Sequence, residues 1–486
     1  MRKTHSIGFN YIMNSILTVS SILFPLVSFP YVSRILYPEG IGRVSFAFSI
    51  ITYFSMIAQL GIPTYGIREC AKLRDNKDKL SQFVNEIIII NLITCVITYV
   101  LFFTCLLFIP RLKSEKKLFL IMSCAIIFNA AGLEWLYKGL EEYSYITIRS
   151  VAFKFLSFIG MFVMIRTQHD VFAYGALTIF ASVGSNLCNW INARKYIAFK
   201  PVRISSLRRH FKPILIFFLL SIASTIYTNL DTVMIGFMSD DVEVGFYTTA
   251  TKVKAALVSI VTSLGTVLLP RASYYVENNE KKEFEMIAIK SLGFTSLMAI
   301  PFVIYFSEFS EAFILVLSGK DYMKSIPIMV ALLPTVLFIG FTNIIGMQVL
   351  VPIGMEKLVF FSVLGGALTD FTINWIVIPN QGALGAAIGT VIAEFVVLII
   401  QSLGYKNLVF KLYKGIKWWR IIVAAMTAGV ITFPVNFLPT NAFTKLAGSC
   451  GGYFAIYVAV LYLERDSLII EILNFIKKKK NSGGEK

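Results

Sequence analysis

Residues 83–109 read FVNEIIIINLITCVITYVLFFTCLLFI, and this stretch decides the fold. Glu86 is its single charged residue. A helix of about 20 mostly apolar residues is long enough to cross the roughly 30 Å hydrocarbon core of a bilayer. The length and hydropathy of this stretch therefore predict a membrane-spanning helix.

The rest of the chain has the same character. It contains 486 residues, of which 15% are charged and 56% are apolar, and its mean hydropathy is +0.72. A soluble globular protein carries about 25% charged residues and needs polar side chains to cover its surface. We therefore predict an all-α, polytopic membrane protein whose solvent is the lipid bilayer.

Fourteen runs have the length and hydropathy of a membrane span. In chain order they are 11–36, 44–66, 83–109, 118–137, 148–165, 171–192, 214–238, 245–270, 286–306, 326–350, 358–378, 384–404, 418–438 and 446–463. The longest connection, 193–213, has about 21 residues, so no soluble catalytic domain is predicted.

The distribution of basic residues predicts the orientation of the chain. Fourteen spans place both termini on one side, and the basic clusters at 194–212 and 406–420 lie on that same side. Both termini are therefore predicted to be cytoplasmic, because Lys and Arg concentrate in inner connections. The net charge of +17 then reflects attraction to an anionic inner leaflet and not to nucleic acid. Residues 467–480 suit either a short helix on that leaflet or a solvated tail.

Neither a disulfide framework nor a transition-metal site is predicted. The six cysteines are scattered singly without a C-x-x-C pair, and the three histidines fall outside the apolar runs. No cofactor is expected apart from a coupling ion.

Short matches at nearly one spacing indicate a duplicated six-helix unit. Residues 41–42 precede the second span and 244–245 precede the eighth, 203 positions later. Residues 175–177 open the sixth span and 382–384 open the twelfth, 207 positions later. Because six is even, the halves share one orientation, which is typical of transporters whose substrate binds between them. The predicted domains are a first lobe with six spans (1–212), a second lobe with six spans (213–405), and the last two spans with a basic cytoplasmic tail (406–486).

Cationic side chains inside or beside the spans are the first set of candidate functional residues. A charge at the bilayer centre costs at least about 2.5 to 3.5 kcal/mol, so it needs a partner, a cavity or a route to the interface. Lys154 lies about 9 Å along the fifth span, and Lys252 lies about 10 Å below the outer end of the eighth. Arg149 and Lys290 lie near inner ends, where they could also extend to the interface. The predicted cationic lining comprises Arg34, Arg149, Lys154, Lys252 and Lys290.

Carboxylates in the second half form the other set. Asp231, Asp370 and Glu394 all lie roughly 10 to 15 Å below the predicted outer face. Asn374 is one turn from Asp370, and Thr390 is one turn from Glu394. These oxygen ligands suit a hard cation such as Na⁺, or else the carboxyls carry a proton. A structural ion pair of Asp231 with a lysine of the neighbouring span is the remaining alternative.

The chemistry of the cationic set indicates an anionic substrate. Arg and Lys in a membrane cavity stabilise an anion, and Arg in particular binds phosphate oxygens with two nitrogens. An anion that keeps a lipid tail in the hydrocarbon would suit a helical cavity without a soluble domain. The residues alone therefore predict a transporter of an anionic substrate and leave ion coupling open.

Several stretches resemble Wzx-type flippases for O-antigen and capsule repeat units. They include FPYVSRIL at 29–36, EWLYKGLEE at 134–142, YITIR at 145–149, NLDT at 229–232 and GALGAA at 382–387. The similarity extends over nearly the whole chain. This family belongs to the superfamily of multidrug, oligosaccharidyl-lipid and polysaccharide exporters, alongside the MurJ flippases and the MATE antiporters.

The resemblance implies a V-shaped pair of six-helix lobes, alternating access, and a cationic cavity for the sugar diphosphate of an undecaprenyl-diphosphate oligosaccharide. It implies a bacterial cytoplasmic membrane protein whose last two spans accompany the lipid tail. Membrane lipids, a polymerase and glycosyltransferases of the pathway are the implied partners. MurJ-like proteins bind sodium between the helices equivalent to the seventh, eleventh and twelfth, where the carboxylate set falls. Glu394 stands where a hydroxyl ligand is expected, which keeps protons as an alternative coupling ion.

Two other functions fit parts of the pattern. A MATE-like drug antiporter shares the fold, but its cationic clients would prefer a carboxylate-lined cavity. A membrane polymerase or glycosyltransferase is the enzymatic alternative. Such enzymes generally need a sizeable outer loop, whereas residues 239–244 form only a short turn. The residues therefore favour a transporter.

Overall fold

The computed structural model describes residues 7–201, 204–466 and 468–471. Every regular element in these ranges is helical, so the predicted all-α class is confirmed for them. The chain forms two units, 1–245 and 246–486. The predicted lobes with boundaries at 212 and 405 stay predictions, and the part of the predicted basic tail at 472–486 lies outside the described residues.

The first unit is built from ten helices and the first residues of an eleventh. They are α1 (Ile7–Gln59), α2 (Ile62–Leu73), α3 (Lys77–Phe108), α4 (Pro110–Ser114), α5 (Lys116–Ala130), α6 (Glu134–Gly139), α7 (Tyr143–Met164), α8 (Val171–Val183), α9 (Leu187–Ala193), α10 (Arg208–Met238) and α11 (Asp241–Glu277).

The second unit contains the rest of α11 and the helices that follow it. They are α12 (Lys281–Glu308), α13 (Ser310–Leu317), α14 (Ser325–Leu332), α15 (Pro334–Thr342), a π-helical segment (Asn343–Leu350), α16 (Glu356–Gly404), α17 (Lys406–Lys414), α18 (Trp418–Thr432) and α19 (Ala442–Leu463).

Ten helical stretches of the described residues are long and apolar enough to cross a membrane, which makes the chain a multi-pass membrane protein. Two of them, Gly8–Gln59 with 52 residues and Glu356–Gly404 with 49, each cover two predicted spans. Both contain a residue with a non-helical backbone where two helices meet, Tyr37 in the first and Gly382 in the second. The count of fourteen spans stays a prediction.

Gly382 turns α16 into an antiparallel pair of helices. Its φ of 54° and ψ of −132° lie in a region that is open to glycine and costly for other residues. Beyond the turn, Gly385 packs on the backbone of Val377, and Gln401 donates to Ser362 at 3.0 Å. The predicted spans 358–378 and 384–404 therefore lie side by side in one hairpin.

Residues 83–108 on α3 show how exposed and buried side chains are distributed on a membrane-length helix. On α3, Val96, Ile97 and Val100 are exposed, whereas Thr94 and Thr98 are buried. The Thr94 hydroxyl donates to the carbonyl of Ala58 on α1 at 2.6 Å. In a bilayer, apolar side chains can face lipid, and small or polar residues provide the contacts between helices.

Candidate functional site

A cavity of about 370 Å³ lies inside the first unit. Its lining comes from the second half of α1, the start of α2, and single turns of α5, α8 and α10. The lining residues are Phe48, Ile51, Thr52, Ser55, Met56, Gln59, Gly61, Pro63, Ala125, Asn129, Ser182, Ser221 and Thr225. None of these residues is charged. Polar groups in the lining are hydroxyls and amides, and none of them is among the site residues predicted from the sequence.

Two close contacts hold α10 against α1 and α2 at either end of this cavity. At Gly61, which has a φ of 70°, a Cβ would lie 2.4 Å from the backbone nitrogen of Phe218. At Gly236, a Cβ would lie 2.1 Å from the ring of Phe46. These positions are about 27 Å apart along the helix. Ser221 and Thr225 of α10 line the cavity between them.

Lys154 and Arg149 lie on α7 of the same unit. The Lys154 ammonium donates to the Ser20 and Ser21 hydroxyls of α1, at 3.1 and 2.6 Å. Arg149 is 6% exposed and donates from Nη1 to Oδ1 of Asn189. Its Nε and Nη2 have no hydrogen-bond partner among the described residues. The Asn189 amide and the Tyr145 ring enclose the guanidinium, and the role of Arg149 in the substrate path stays a prediction.

The other predicted cationic residues have different surroundings. Arg34 is exposed and donates to the carbonyl of Pro30 on its own helix. Lys252 is half-buried on α11. Lys290 is exposed and forms an ion pair with Glu471 at 2.9 Å, as expected for a lysine that reaches the interface. Their roles in the substrate path stay predictions.

Four of the five predicted ion-coupling residues lie on the α16 hairpin and are buried. Asn374 donates to Asp370 at 3.2 Å. A Cβ at Gly389 would lie 2.1 Å from Oδ1 of Asn374 and 3.2 Å from Oδ1 of Asp370. The glycine therefore brings the second helix of the hairpin against this pair.

Thr390 and Glu394 complete this polar patch from the second helix. The Thr390 hydroxyl donates to the Ala386 carbonyl at 3.0 Å and lies 3.1 Å from the hydroxyl of Tyr247 on α11. Glu394 follows one turn later and is 6% exposed. Asp231 lies half-buried on α10 of the first unit. Carboxylate, amide and hydroxyl oxygens are the donor set that a hard cation takes, and the carboxylates could equally hold protons.

A polar network around Glu86 was missed by the sequence analysis. Glu86 is 1% exposed, accepts from Arg209 at 2.5 Å and lies 2.7 Å from Nε2 of His210. Nδ1 of His210 lies 2.8 Å from the hydroxyl of Tyr65. This network joins α2, α3 and the start of α10. The signal available was the lone carboxylate in an otherwise apolar run, because a buried charge needs a partner.

The start of α11 packs closely on the part of α1 that follows Tyr37, at the predicted outer end of the first unit. A Cβ at Gly42 would lie 1.7 Å from the carbonyl oxygen of Asp241, and a Cβ at Gly245 would lie 2.0 Å from that of Pro38. The same spacing of 203 positions separates Pro38 from Asp241 and Gly42 from Gly245. We call these four residues the glycine clasp.

Membrane-length helices, an uncharged polar cavity, and buried charged groups inside the helical units define a multi-pass membrane transporter. The chain belongs to the family described as polysaccharide biosynthesis protein, whose profile matches residues 7–276. The resemblance to Wzx-type flippases is confirmed, and the protein is a polysaccharide-related flippase and not an enzyme.

Named relatives agree with this assignment. A protein named as an O-antigen transporter of Escherichia coli strain K12 is 22% identical over 404 residues, which cover 82% of this chain and 96% of that protein. A protein named as a low-salt glycan biosynthesis flippase of Haloferax volcanii is 22% identical over 227 residues, covering 46% of this chain and 48% of that protein.

Solved structures share the fold. The lipid II flippase MurJ in an inward closed conformation aligns with a TM-score of 0.77 at 17% identity, covering 94% of this chain and 100% of that chain. An inward-facing MATE multidrug transporter aligns with a TM-score of 0.62 at 14% identity, covering 83% of this chain and 99% of that chain. At these identities the likeness concerns the fold alone.

Proposed function

We propose that this chain flips undecaprenyl-diphosphate-linked oligosaccharide repeat units from the inner to the outer leaflet of a bacterial cytoplasmic membrane. Transport proceeds by alternating access and supplies O-antigen or capsule biosynthesis. The names of the relatives support the class of cargo. The last two spans accompany the lipid tail, and both termini face the cytoplasm.

The observation that most supports this proposal is the environment of the Lys154 side chain. This ammonium lies within a membrane-length helix and donates to two neutral serine hydroxyls. Among the described residues, the Glu134 carboxylate interacts with it electrostatically but forms its ion pair with Lys138, at 2.7 Å. Its positive charge is therefore not cancelled by a direct partner, which suits a group that receives a diphosphate during transport. The uncharged lining of the cavity in the same unit is a poor match for the cationic drugs that a MATE-like antiporter exports.

The test is flipping of a fluorescent undecaprenyl-diphosphate oligosaccharide in proteoliposomes that contain the full chain. Lys154→Met should lower the initial rate at least tenfold, and Lys154→Arg should retain most of it because the positive charge is kept. Lys320→Met is the matched control, since Lys320 is exposed in a connection between helices. A rate for Lys154→Met equal to that of the control would contradict the role of this lysine.

We propose coupling to Na⁺ or H⁺ at the patch formed by Asp370, Asn374, Thr390 and Glu394 of the second unit. A coupling role is also proposed for Asp231 of the first unit. The buried carboxylates at 370 and 394 support this role, because an ionised carboxylate buried among helices needs a cation or a proton. Asp370→Asn should abolish the response of flipping to an imposed ion gradient and spare downhill exchange. The control is Asp321→Asn at an exposed position. Flipping by the unmodified chain that ignores both sodium and pH gradients would contradict coupling.

A further inference from the structure

The lining of the cavity in the first unit suits an uncharged ligand. Its volume of about 370 Å³ falls in the range of about 300 to 1,000 Å³ typical of small-molecule sites. Phe48, Ile51 and Met56 contribute apolar surface on one helix, and hydroxyls and amides contribute the remainder. The volume accommodates part of an oligosaccharide and not a complete lipid-linked repeat unit.

Several polar groups of the lining keep hydrogen-bonding capacity for a ligand. Ser55 is 4% exposed, and its Oγ has no hydrogen-bond partner among the described residues. The hydroxyls of Thr52 and Ser221 donate to carbonyls of their own helices, which leaves their lone pairs able to accept. Gln59 donates one amide hydrogen to the Ser55 carbonyl and retains its own carbonyl oxygen.

Asn129 and Ser182 complete the polar lining from α5 and α8. The Asn129 amide can donate and accept at once, as can the Ser182 hydroxyl. A sugar hydroxyl also does both, so it can pair with each of these groups. The lining thus offers alternating donors and acceptors together with an aromatic face, and sugar rings have the complementary pattern of hydroxyls and C–H surface.

The absence of charge in the lining argues against an acidic sugar. A carboxylate that enters a low-dielectric site without a cation loses its hydration and gains no ion pair. None of the described lining residues supplies a Lys, Arg or His. An uncharged hexose or N-acetylhexosamine carries no such penalty.

We propose that this cavity is a subsite for an uncharged sugar of the transported glycan, and that it disfavours a uronic acid at that position. The inference rests on the proposed flippase function and adds the substrate class of one subsite. The diphosphate and the sugar then bind at separate places, the first near Lys154 and the second between Ser55, Asn129 and Ser221.

The test uses two undecaprenyl-diphosphate trisaccharides that differ only in one sugar, glucose in the first and glucuronic acid in the second. The full chain in proteoliposomes should flip the neutral lipid at least tenfold faster. Asn129→Leu should remove most of this preference by slowing the neutral lipid. Ser182→Lys should shift the preference toward the glucuronic acid lipid, because an ammonium then faces the cavity from an exposed position that tolerates a larger side chain. Ser273→Lys, at an exposed position outside the cavity, is the matched control.

Binding of the free trisaccharides, measured by saturation-transfer NMR, separates the two proposals. If neither lipid is flipped but the neutral trisaccharide binds and Asn129→Leu abolishes binding, the subsite stands and the flippase proposal fails. If both lipids are flipped at equal rates and Ser182→Lys behaves like Ser273→Lys, the subsite is overturned and the flippase proposal stands. Thermal unfolding of each variant shows whether it has folded, and Ser182→Lys tests the subsite by adding a positive charge to the cavity lining.

Discussion

At the scale of single residues, Arg149 is a buried cation whose charge its neighbours compensate only in part. Its side-chain partners are the Asn189 amide and the Tyr145 ring, while its Nε and Nη2 have no hydrogen-bond partner among the described residues. A buried charge without full compensation costs stability. If Arg149 served packing alone, an apolar residue could replace it without loss of stability. We therefore propose that the guanidinium binds an anion during transport.

The first prediction follows from this cost. Arg149→Met should leave the free energy of unfolding unchanged or raise it, because the variant no longer buries a charge, and it should lower flipping at least tenfold. Thermal unfolding and proteoliposome flipping measure the two effects on the same preparation. Arg166→Met, at an exposed position, should change neither. If Arg149→Met loses stability and transport together, the residue is structural.

The second prediction concerns Asp170, which lies in the connection before α8. Hydrogen bonds from the backbone N–H groups of Arg166 and Thr167, at 2.9 and 2.7 Å, hold the pKa of Asp170 below its ordinary value. The stabilisation is therefore present above pH of about 4 and is lost as the pH falls through the folded-state pKa. Asp170→Asn should cost up to about 1 kcal/mol at neutral pH, because solvent reaches this half-buried carboxylate and screens its charge.

Thermal unfolding between pH 3 and 7 tests the direction in which the stability contributed by Asp170 changes with pH. The stability difference between the unmodified chain and Asp170→Asn should shrink as the pH falls toward 3. Asp75→Asn, at an exposed position, provides the control for a general effect of removing one negative charge. A difference that grows on acidification would contradict the assignment.

At the scale of elements, the glycine clasp is the contact that leaves least room for an added side-chain atom. The Cβ positions of Gly42 and Gly245 fall 1.7 and 2.0 Å from backbone carbonyl oxygens, and a backbone atom cannot move aside as a flexible side chain can. The first turn of α11 and the part of α1 that follows Tyr37 therefore approach each other closely only while both positions are glycine. The ion pairs of Arg111 with Asp241 and of Arg43 with Glu115 stabilise the same region.

The third prediction is that Gly42→Ala opens the clasp. The added methyl group should force the two helical segments apart and slow flipping at least tenfold, since a state that needs the close approach becomes unfavourable. A cysteine placed at Pro38 should then react faster with a soluble maleimide. Gly448→Ala is the control, because no atom lies within 4 Å of a Cβ at that position. Equal rates for both variants would show that the clasp has no part in transport.

At the scale of the whole molecule, the charge distribution fixes the expected orientation in the membrane. The basic connection at 194–212 should face the cytoplasm, and the short connection at 110–117 should face outward. The fourth prediction places single cysteines in a cysteine-free chain to test this. In intact cells, Ser114→Cys should react with an impermeant thiol reagent, and Lys200→Cys should react only after the membrane is opened. The reverse pattern would contradict cytoplasmic termini.

The sequence alone determined the membrane class, because composition and run length state directly that the solvent is lipid. It also placed Asp370 beside Asn374 and Thr390 beside Glu394, since residues one turn apart share a helix face. The resemblance to Wzx-type flippases, carried by motifs along the chain, identified the family before any fold was known.

Only the tertiary structure decided which residues meet across helices. The uncharged cavity draws residues from five helices, and no local pattern shows that Ser55, Asn129 and Ser221 share it. The same holds for Glu86 of the opening stretch, whose partners Arg209 and His210 lie more than 120 positions away. Sequence periodicity gives the face of one helix, whereas the pairing of faces depends on close contacts such as those at Gly61, Gly236 and Gly389, which only the packed chain reveals.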